Sequence, residues 1–274
     1  MEINRELLDT VCRIAVEAGA ETLPIYRSDF DVATKDDDSP LTQADLAAHR
    51  AIVAGLSELA PDTPQLSEEG AEIDYDTRSE WREYWLIDPL DGTREFVNRN
   101  DQFTINIALI EDGRPVLGVV YAPALDTLWF GATGMGAFRR RDDGQGDGQG
   151  NGKIEPIRVS PARADKPRIL VSRSHRSDAI ERMLAGMGDY EPVSMGSSLK
   201  FCVIAEGGAD FYPRLGPTSE WDTAAGHGVL AAAGGRVTDA RGRPLRYNET
   251  DSLLNDWFIA YGDSGHDWLA HVPK

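Results

Sequence analysis

Trp85-Leu86-Ile87-Asp88-Pro89-Leu90-Asp91-Gly92-Thr93 reads as a short apolar strand running into a bend that carries two carboxylates. The strand, Tyr84 to Ile87, delivers Asp88, and Pro89 then fixes a backbone angle and removes a donor. Gly92 lets the chain turn tightly and approach a ligand closely. Asp88 and Asp91, three residues apart on such a bend, can point into one space, where their repulsion is costly without a cation. Mg²⁺ binds one or two carboxylates together with water and substrate phosphate oxygens, so the stretch suits a Mg²⁺ platform. A surface turn uses the same residue types, and the fragment alone does not separate the two readings.

Two other segments add carboxylates. Ser67-Glu68-Glu69-Gly70 follows a short strand at Gln65-Leu66, and Trp221-Asp222-Thr223-Ala224-Ala225-Gly226 opens an Ala-rich helix. Taken singly, Glu68-Glu69 is a solvated loop and Asp222 a helix N-cap. Together with Asp88 and Asp91 they form an acidic constellation that calls for a counter-charge.

Around these segments the periodicity changes once. Ile3, Leu7, Leu8, Val11, Cys12, Ile14, Ala15 and Ala18 recur at helical spacing towards Tyr26. After a polar loop from Ser28 to Pro40, a second helix starts near Thr42, which with Asp45 resembles a capping box, and Pro61 closes it. Strands follow at Phe103 to Ile110, Val116 to Tyr121 (after the turn Asp112-Gly113) and Leu128 to Phe130. The Gly-rich run Gly131 to Gly136 precedes no helix and reads as a hairpin turn rather than a phosphate loop. The first half, 1–140, is thus an α+β unit: two helices on a largely antiparallel sheet. The stretch Arg141 to Gly152 is polar, repetitive and Gly-rich, a flexible loop (141–153) marking a seam. In 154–274, strands at Ile169 to Val171, Phe211-Tyr212 and Trp257 to Ala260 alternate with helices at Asp178 to Leu184, Leu199 to Glu206 and Thr223 to Ala233. That alternation predicts an α/β half, with the site in the cleft between the halves.

The 274 residues carry 28 Lys+Arg against 46 Asp+Glu, a net charge of −18. Nucleic-acid binding through phosphate neutralisation is thereby excluded, and adsorption to anionic lipid disfavoured. A phosphorylated substrate would need divalent cations between it and the protein. Cys12 and Cys202 lie in apolar helical patterns and read as buried free thiols. Neither a secretory signal nor a membrane-length apolar run is present, which predicts a reducing cytoplasmic setting with no integral membrane segment.

The acidic segments, in this order, resemble the lithium-sensitive, Mg²⁺-dependent phosphatase superfamily of inositol monophosphatase, fructose-1,6-bisphosphatase and the bisphosphate nucleotidases. The segments Ser194 to Cys202, Ala205-Glu206-Gly207, Tyr212-Pro213-Arg214 and Gly216-Pro217-Thr218 narrow the resemblance to its CysQ-type 3′(2′),5′-bisphosphate nucleotidases. Leu66 to Glu69, Ile105 to Leu109 and Ser172 to His175 fit the same type. The resemblance covers nearly the whole chain, departing mainly at the Gly-rich loop, and implies a layered αβαβα sandwich of the inositol monophosphatase/sugar phosphatase type. It also implies a cytoplasmic protein, with peripheral attachment to the inner membrane as the alternative.

Carried onto this chain, the resemblance implies that Glu68, Asp88 and the Leu90 carbonyl hold one Mg²⁺. Asp88, Asp91 and Asp222 hold a second, and Glu68 shares a third, weaker one. Thr93, held by Asp45, orients and helps deprotonate the attacking water. Gly92, His175, Ser197, Lys200 and Arg214 join Glu68, Leu90, Asp91, Thr93 and Asp222 around the substrate. That substrate is adenosine 3′,5′-bisphosphate, cleaved to AMP and phosphate in support of sulfate assimilation, with 3′-phosphoadenylyl sulfate as a further candidate. Two alternatives stay open: an inositol or sugar monophosphatase on the same scaffold, and a non-catalytic nucleotide or metal sensor.

Overall fold

Asn4 caps the first helix, α1 (Arg5–Arg27), by accepting from the Leu7 amide at 2.9 Å. The computed structural model describes residues 1–28, 40–141, 152–163, 165–171 and 178–273. A second helix, α2 (Pro40–Leu59), starts earlier than the capping-box pattern implied. Thr42 therefore lies inside it, and proline opens the helix where its missing N–H leaves nothing unpaired.

Seven strands form the first sheet: β1 (Gln65–Ser67), β2 (Glu83–Asp91), β3 (Thr104–Glu111), β4 (Arg114–Ala122), β5 (Thr127–Ala132), β6 (Gly136–Arg141) and β7 (Lys153–Ile157). They stand in chain order, with β1 parallel to β2 and every later neighbour antiparallel. Short helices α3 (Tyr75–Arg78) and α4 (Thr93–Val97) flank β2. The hairpin at 133–135 between β5 and β6 is the turn expected there. Residues 142–151 lie outside the described set; β6 and β7 pair with each other across them, so that stretch joins two strands of one sheet rather than two halves.

The second sheet comprises β8 (Arg168–Val171), β9 (Glu191–Ser194), β10 (Phe211–Arg214), β11 (Arg236–Asp239) and β12 (Phe258–Tyr261), in the order β11-β12-β10-β8-β9. Helices α5 (Asp178–Gly186), α6 (Leu199–Ala205) and α7 (Trp221–Ala232) complete the fold. The central strands of each sheet are buried on both faces. On the first, Trp85, Ile87, Ile107 and Val119 face α1 and α2, while Leu86, Ala108 and Val120 face the opposite way, towards α6 and α7. On the second, Tyr212 and Phe258 join that central layer, whereas Phe211 and Ile259 pack outward with α5 and Trp268. The result is the five-layer αβαβα sandwich. Double-sided burial also explains why β3 alternates so weakly in sequence.

Helix α7 lies unusually close to the sheet. A Cβ on Gly118 would meet the Ala225 carbonyl oxygen at 2.2 Å, and one on Gly228 would meet the Gly118 amide nitrogen at 3.0 Å. Backbone cannot yield as a side chain can, so Gly118→Ala should destabilise the protein by about 3 kcal/mol. A lowered urea midpoint at unchanged slope would register this; an unchanged midpoint would mean that α7 moves freely over the sheet.

Candidate active site

Strand β2 runs past Ile87 through the acidic motif itself. It pairs Asp88 with Asn106 and then Asp91 with Thr104, so three steps on β2 match two on β3. Such a bulge re-aims side chains at the rim of a sheet. Here it turns Asp88 and Asp91 into one cleft of about 320 Å³, which Glu68, Leu90, Thr93 and Asp222 also line. Gly92 follows in a left-handed conformation, φ 91°, which disfavours a side chain. A Cβ there would also stand 3.3 Å from the Gln102 carbonyl oxygen, the Phe103 Cα and the Ser197 Cβ. Leu90 buries its side chain beside Tyr26, Phe96 and Phe103, so its main chain is what it can offer the cleft.

Glu68, Asp88 and Asp222 each present a carboxylate oxygen, all within 4.8 Å of one another. Glu68 follows β1, and Asp222 lies in the first turn of α7, accepting from the Ser219 amide at 3.0 Å. Asp88 is fully buried; its Oδ1 accepts from the Leu90 amide at 3.0 Å and its Oδ2 has no hydrogen-bond partner. Burial and the charges of Asp91, Glu68 and Asp222 push the Asp88 carboxyl well above the usual carboxylate range. Desolvation followed by neighbouring carboxylates raises Glu68 and Asp222 to about 7. Burial likewise raises Asp91, against the opposing effects of Ser197 and Lys200. An orphaned buried oxygen among mutually repelling carboxylates is the donor set that a hard divalent cation satisfies, so these residues fit Mg²⁺.

One wall of the same cleft is basic. Lys200, on α6, is 9% exposed; its ammonium donates to the Ser197 carbonyl at 2.7 Å and stands 5.5 Å from the Tyr212 ring. Burial lowers its pKa, and the Asp91 charge opposes that fall. Arg214, at the end of β10, is steadied by the Thr218 hydroxyl and the Pro217 carbonyl. Ser197, Lys200 and Arg214 thus meet the acidic group in one cavity. His175 lies outside the described residues.

Thr93 begins α4 and is exposed at the cleft. Asp45 is on α2, which packs against α4, and its buried Oδ1 has no hydrogen-bond partner. Desolvation, then the charges of Glu69 and Glu68, raise its carboxyl to about 8.

Sequence reasoning left several contributors unassigned. Thr104, Asn106 and Ser198 are buried and hydrogen-bonded beside Asp91, and Gln102 accepts from the Gly196 amide at 2.8 Å. The signal for Asn106 was available: an amide inside the apolar run Ile105-Asn106-Ile107 must find partners. Farther out, the Asn248 amide donates to both oxygens of buried Glu220, immediately before Trp221-Asp222, and Asn248 also binds buried Arg78. This network ties the start of α7 to α3.

The sequence profile of the inositol monophosphatase family matches residues 3–269. The 3′(2′),5′-bisphosphate nucleotidase CysQ of Salmonella typhimurium is 46% identical over 254 residues, covering 92% of this chain and 98% of that protein. The CysQ nucleotidase of Escherichia coli strain K12 matches with the same identity and coverage. Among solved structures, CysQ from Bacteroides thetaiotaomicron, a bacterial member of the inositol monophosphatase family, superposes with a TM-score of 0.84 at 42% identity. That alignment covers 94% of this chain and 97% of the other. Fold, cleft and relatives agree: the chain belongs to the inositol monophosphatase family, next to its CysQ bisphosphate nucleotidases.

Proposed function

We propose that the cleft hydrolyses the 3′-phosphate of adenosine 3′,5′-bisphosphate to AMP and phosphate, in support of sulfate assimilation, with 3′-phosphoadenylyl sulfate as a second substrate. The observation that carries this reading is a buried carboxylate cluster sharing one cavity with Lys200 and Arg214. The cluster suits a cation, and the basic wall suits a second phosphate. Relatives carrying the name 3′(2′),5′-bisphosphate nucleotidase point the same way.

Glu68, Asp88, Asp91, Asp222 and the Leu90 carbonyl would hold two Mg²⁺, with a third shared by Glu68. When bound, Mg²⁺ offsets the phosphate charge, polarises the phosphoryl group and lowers the pKa of the attacking water. The chain itself orients the reactants. Thr93 offers a hydroxyl to the attacking water, and Asp45, on the helix packed against α4, takes the proton through it once ionised; burial raises its pKa and so makes the carboxylate a stronger base. Ser197, Lys200 and Arg214 fix the 5′-phosphate and the nucleoside, and charge-assisted hydrogen bonds make that grip strong. Outside the described residues, His175 is proposed to join them.

The test is phosphate release from a panel of adenosine bisphosphates, inositol phosphates and fructose 1,6-bisphosphate, with and without Mg²⁺. Adenosine 3′,5′-bisphosphate should give the highest kcat/KM. An inositol phosphate turned over faster would overturn the substrate assignment, and no turnover of any compound would favour the sensor reading.

A further inference from the structure

Asp91 is held from behind by Ser197 and, through it, by three buried polar groups that the proposed chemistry does not use. The Ser197 hydroxyl and the Ser198 amide both donate to its Oδ2, each at 2.5 Å. Thr104 Oγ1 lies 2.5 Å from Ser197 Oγ and 2.9 Å from Ser198 Oγ. Asn106 Nδ2 donates to Thr104 Oγ1 at 3.2 Å, and Ser198 Oγ donates to Asn106 Oδ1 at 2.6 Å. Thr104, Asn106 and Ser198 are each no more than 2% exposed. Ser197 sits in a left-handed conformation, φ 51°, uncommon for a residue other than glycine, and its carbonyl accepts from Lys200.

Proton directions in this chain follow from one end. As a metal ligand the Asp91 carboxylate is ionised and only accepts, so Ser197 must donate to it. Thr104 then gives its one proton to Ser197, which leaves its oxygen to accept from the Asn106 amide. The Asn106 carbonyl is left to accept from Ser198. Every donor thus points along the path Ser198, Asn106, Thr104, Ser197, Asp91, each bond polarises the next, and the 2.9 Å contact between Thr104 Oγ1 and Ser198 Oγ carries no proton. Both donors to Asp91 land on Oδ2.

We propose that Thr104, Asn106 and Ser198 are positioning residues: a buried hydrogen-bond chain from β3 fixes Asp91 for Mg²⁺ and, through the Ser197 carbonyl, ties that ligand to Lys200 on the phosphate-binding wall. The inference rests on the reading of Asp91 as a metal ligand. It explains why an amide interrupts the apolar run of β3, and why the Ser197 backbone is held in an uncommon conformation. Partners behind a metal ligand typically carry ten- to a hundredfold of metal affinity.

The test uses the intact protein, with Mg²⁺ alone as the probe, read by the rise in melting temperature. Thr104→Val keeps the shape but breaks the chain, while Thr104→Ser restores it. Asn106→Leu keeps the outline but can neither donate to Thr104 nor accept from Ser198. Thr104→Val and Asn106→Leu should raise the Mg²⁺ concentration for half-maximal shift about tenfold or more. Both should also raise KM for adenosine 3′,5′-bisphosphate, and Thr104→Ser should match the wild type. A lower melting point in EDTA with an unchanged Mg²⁺ midpoint in Thr104→Val would make the chain merely structural and overturn the proposal. Absence of any Mg²⁺ shift in the wild type would instead overturn the metal reading on which it rests.

Discussion

Replacing Asp88 by asparagine should cut turnover of adenosine 3′,5′-bisphosphate at least about a hundredfold, the scale of loss when a preorganised electrostatic group is removed. The same change should stabilise the metal-free protein at neutral pH. Asp88 is fully buried with one oxygen unpartnered, and its pKa lies well above the usual range. For a carboxyl whose folded pKa is raised, the fold prefers the protonated form. The Asp88 contribution to the stability of the metal-free protein is therefore fully present below the unfolded pKa of about 3.9 and falls away as pH rises through the folded value. Glu68 and Asp222 add to that fall until they ionise near 7. Asparagine removes the Asp88 share, so in EDTA the variant should melt above the wild type at pH 8 and beside it at pH 4. Mg²⁺ should raise the wild-type melting point at pH 8 far more than that of the variant. A variant less stable than the wild type in EDTA at pH 8 would show that Asp88 is a structural hydrogen-bonding group.

The second large effect concerns discrimination between substrates. Lys200→Ala should lower kcat/KM for adenosine 3′,5′-bisphosphate roughly ten- to a hundredfold, from about 1.5–3 kcal/mol for a lost charge-assisted contact. A nucleotide with only a 3′-phosphate should lose much less. Arg214→Ala should behave alike, since its guanidinium is held by Thr218 and Pro217 within the same cavity. Equal losses on both substrates would mean that these cations serve the acidic cluster rather than a second phosphate. Lys200 makes this a sharp comparison, because its ammonium is tied to the Ser197 carbonyl in the segment that donates to Asp91.

Much of this was legible in the sequence, and the gaps have physical reasons. The first helix stood out because it buries a regular face, and β3, β4 and β5 because they are apolar, β-branched runs broken by turns, whereas β6 and β7 are too polar to stand out. Strand β2 reads as ending at Ile87 because Asp, Pro and Gly signal a turn, yet it continues through Asp91 as a bulge. Turn and bulge draw on the same residues, and only pairing with β3 separates them. Strands β9 and β11 escaped notice because each is four residues long and sits at an edge of the second sheet. The second helix begins before its polar pattern because proline at its first turn outranks a threonine cap. The carboxylates gathered in the cleft were named through their motifs. Their support was not, since Thr104 and Ser198 lie 94 residues apart and meet only in the folded chain.

The most direct measurement is the identity of the nucleotide product when the wild-type protein acts on adenosine 3′,5′-bisphosphate, followed by chromatography with and without Mg²⁺. The arrangement of Lys200 and Arg214 against the carboxylates predicts 5′-AMP and one equivalent of phosphate, formed only when Mg²⁺ is present. Release of 3′-AMP, or product formed at the same rate in excess EDTA, would contradict it.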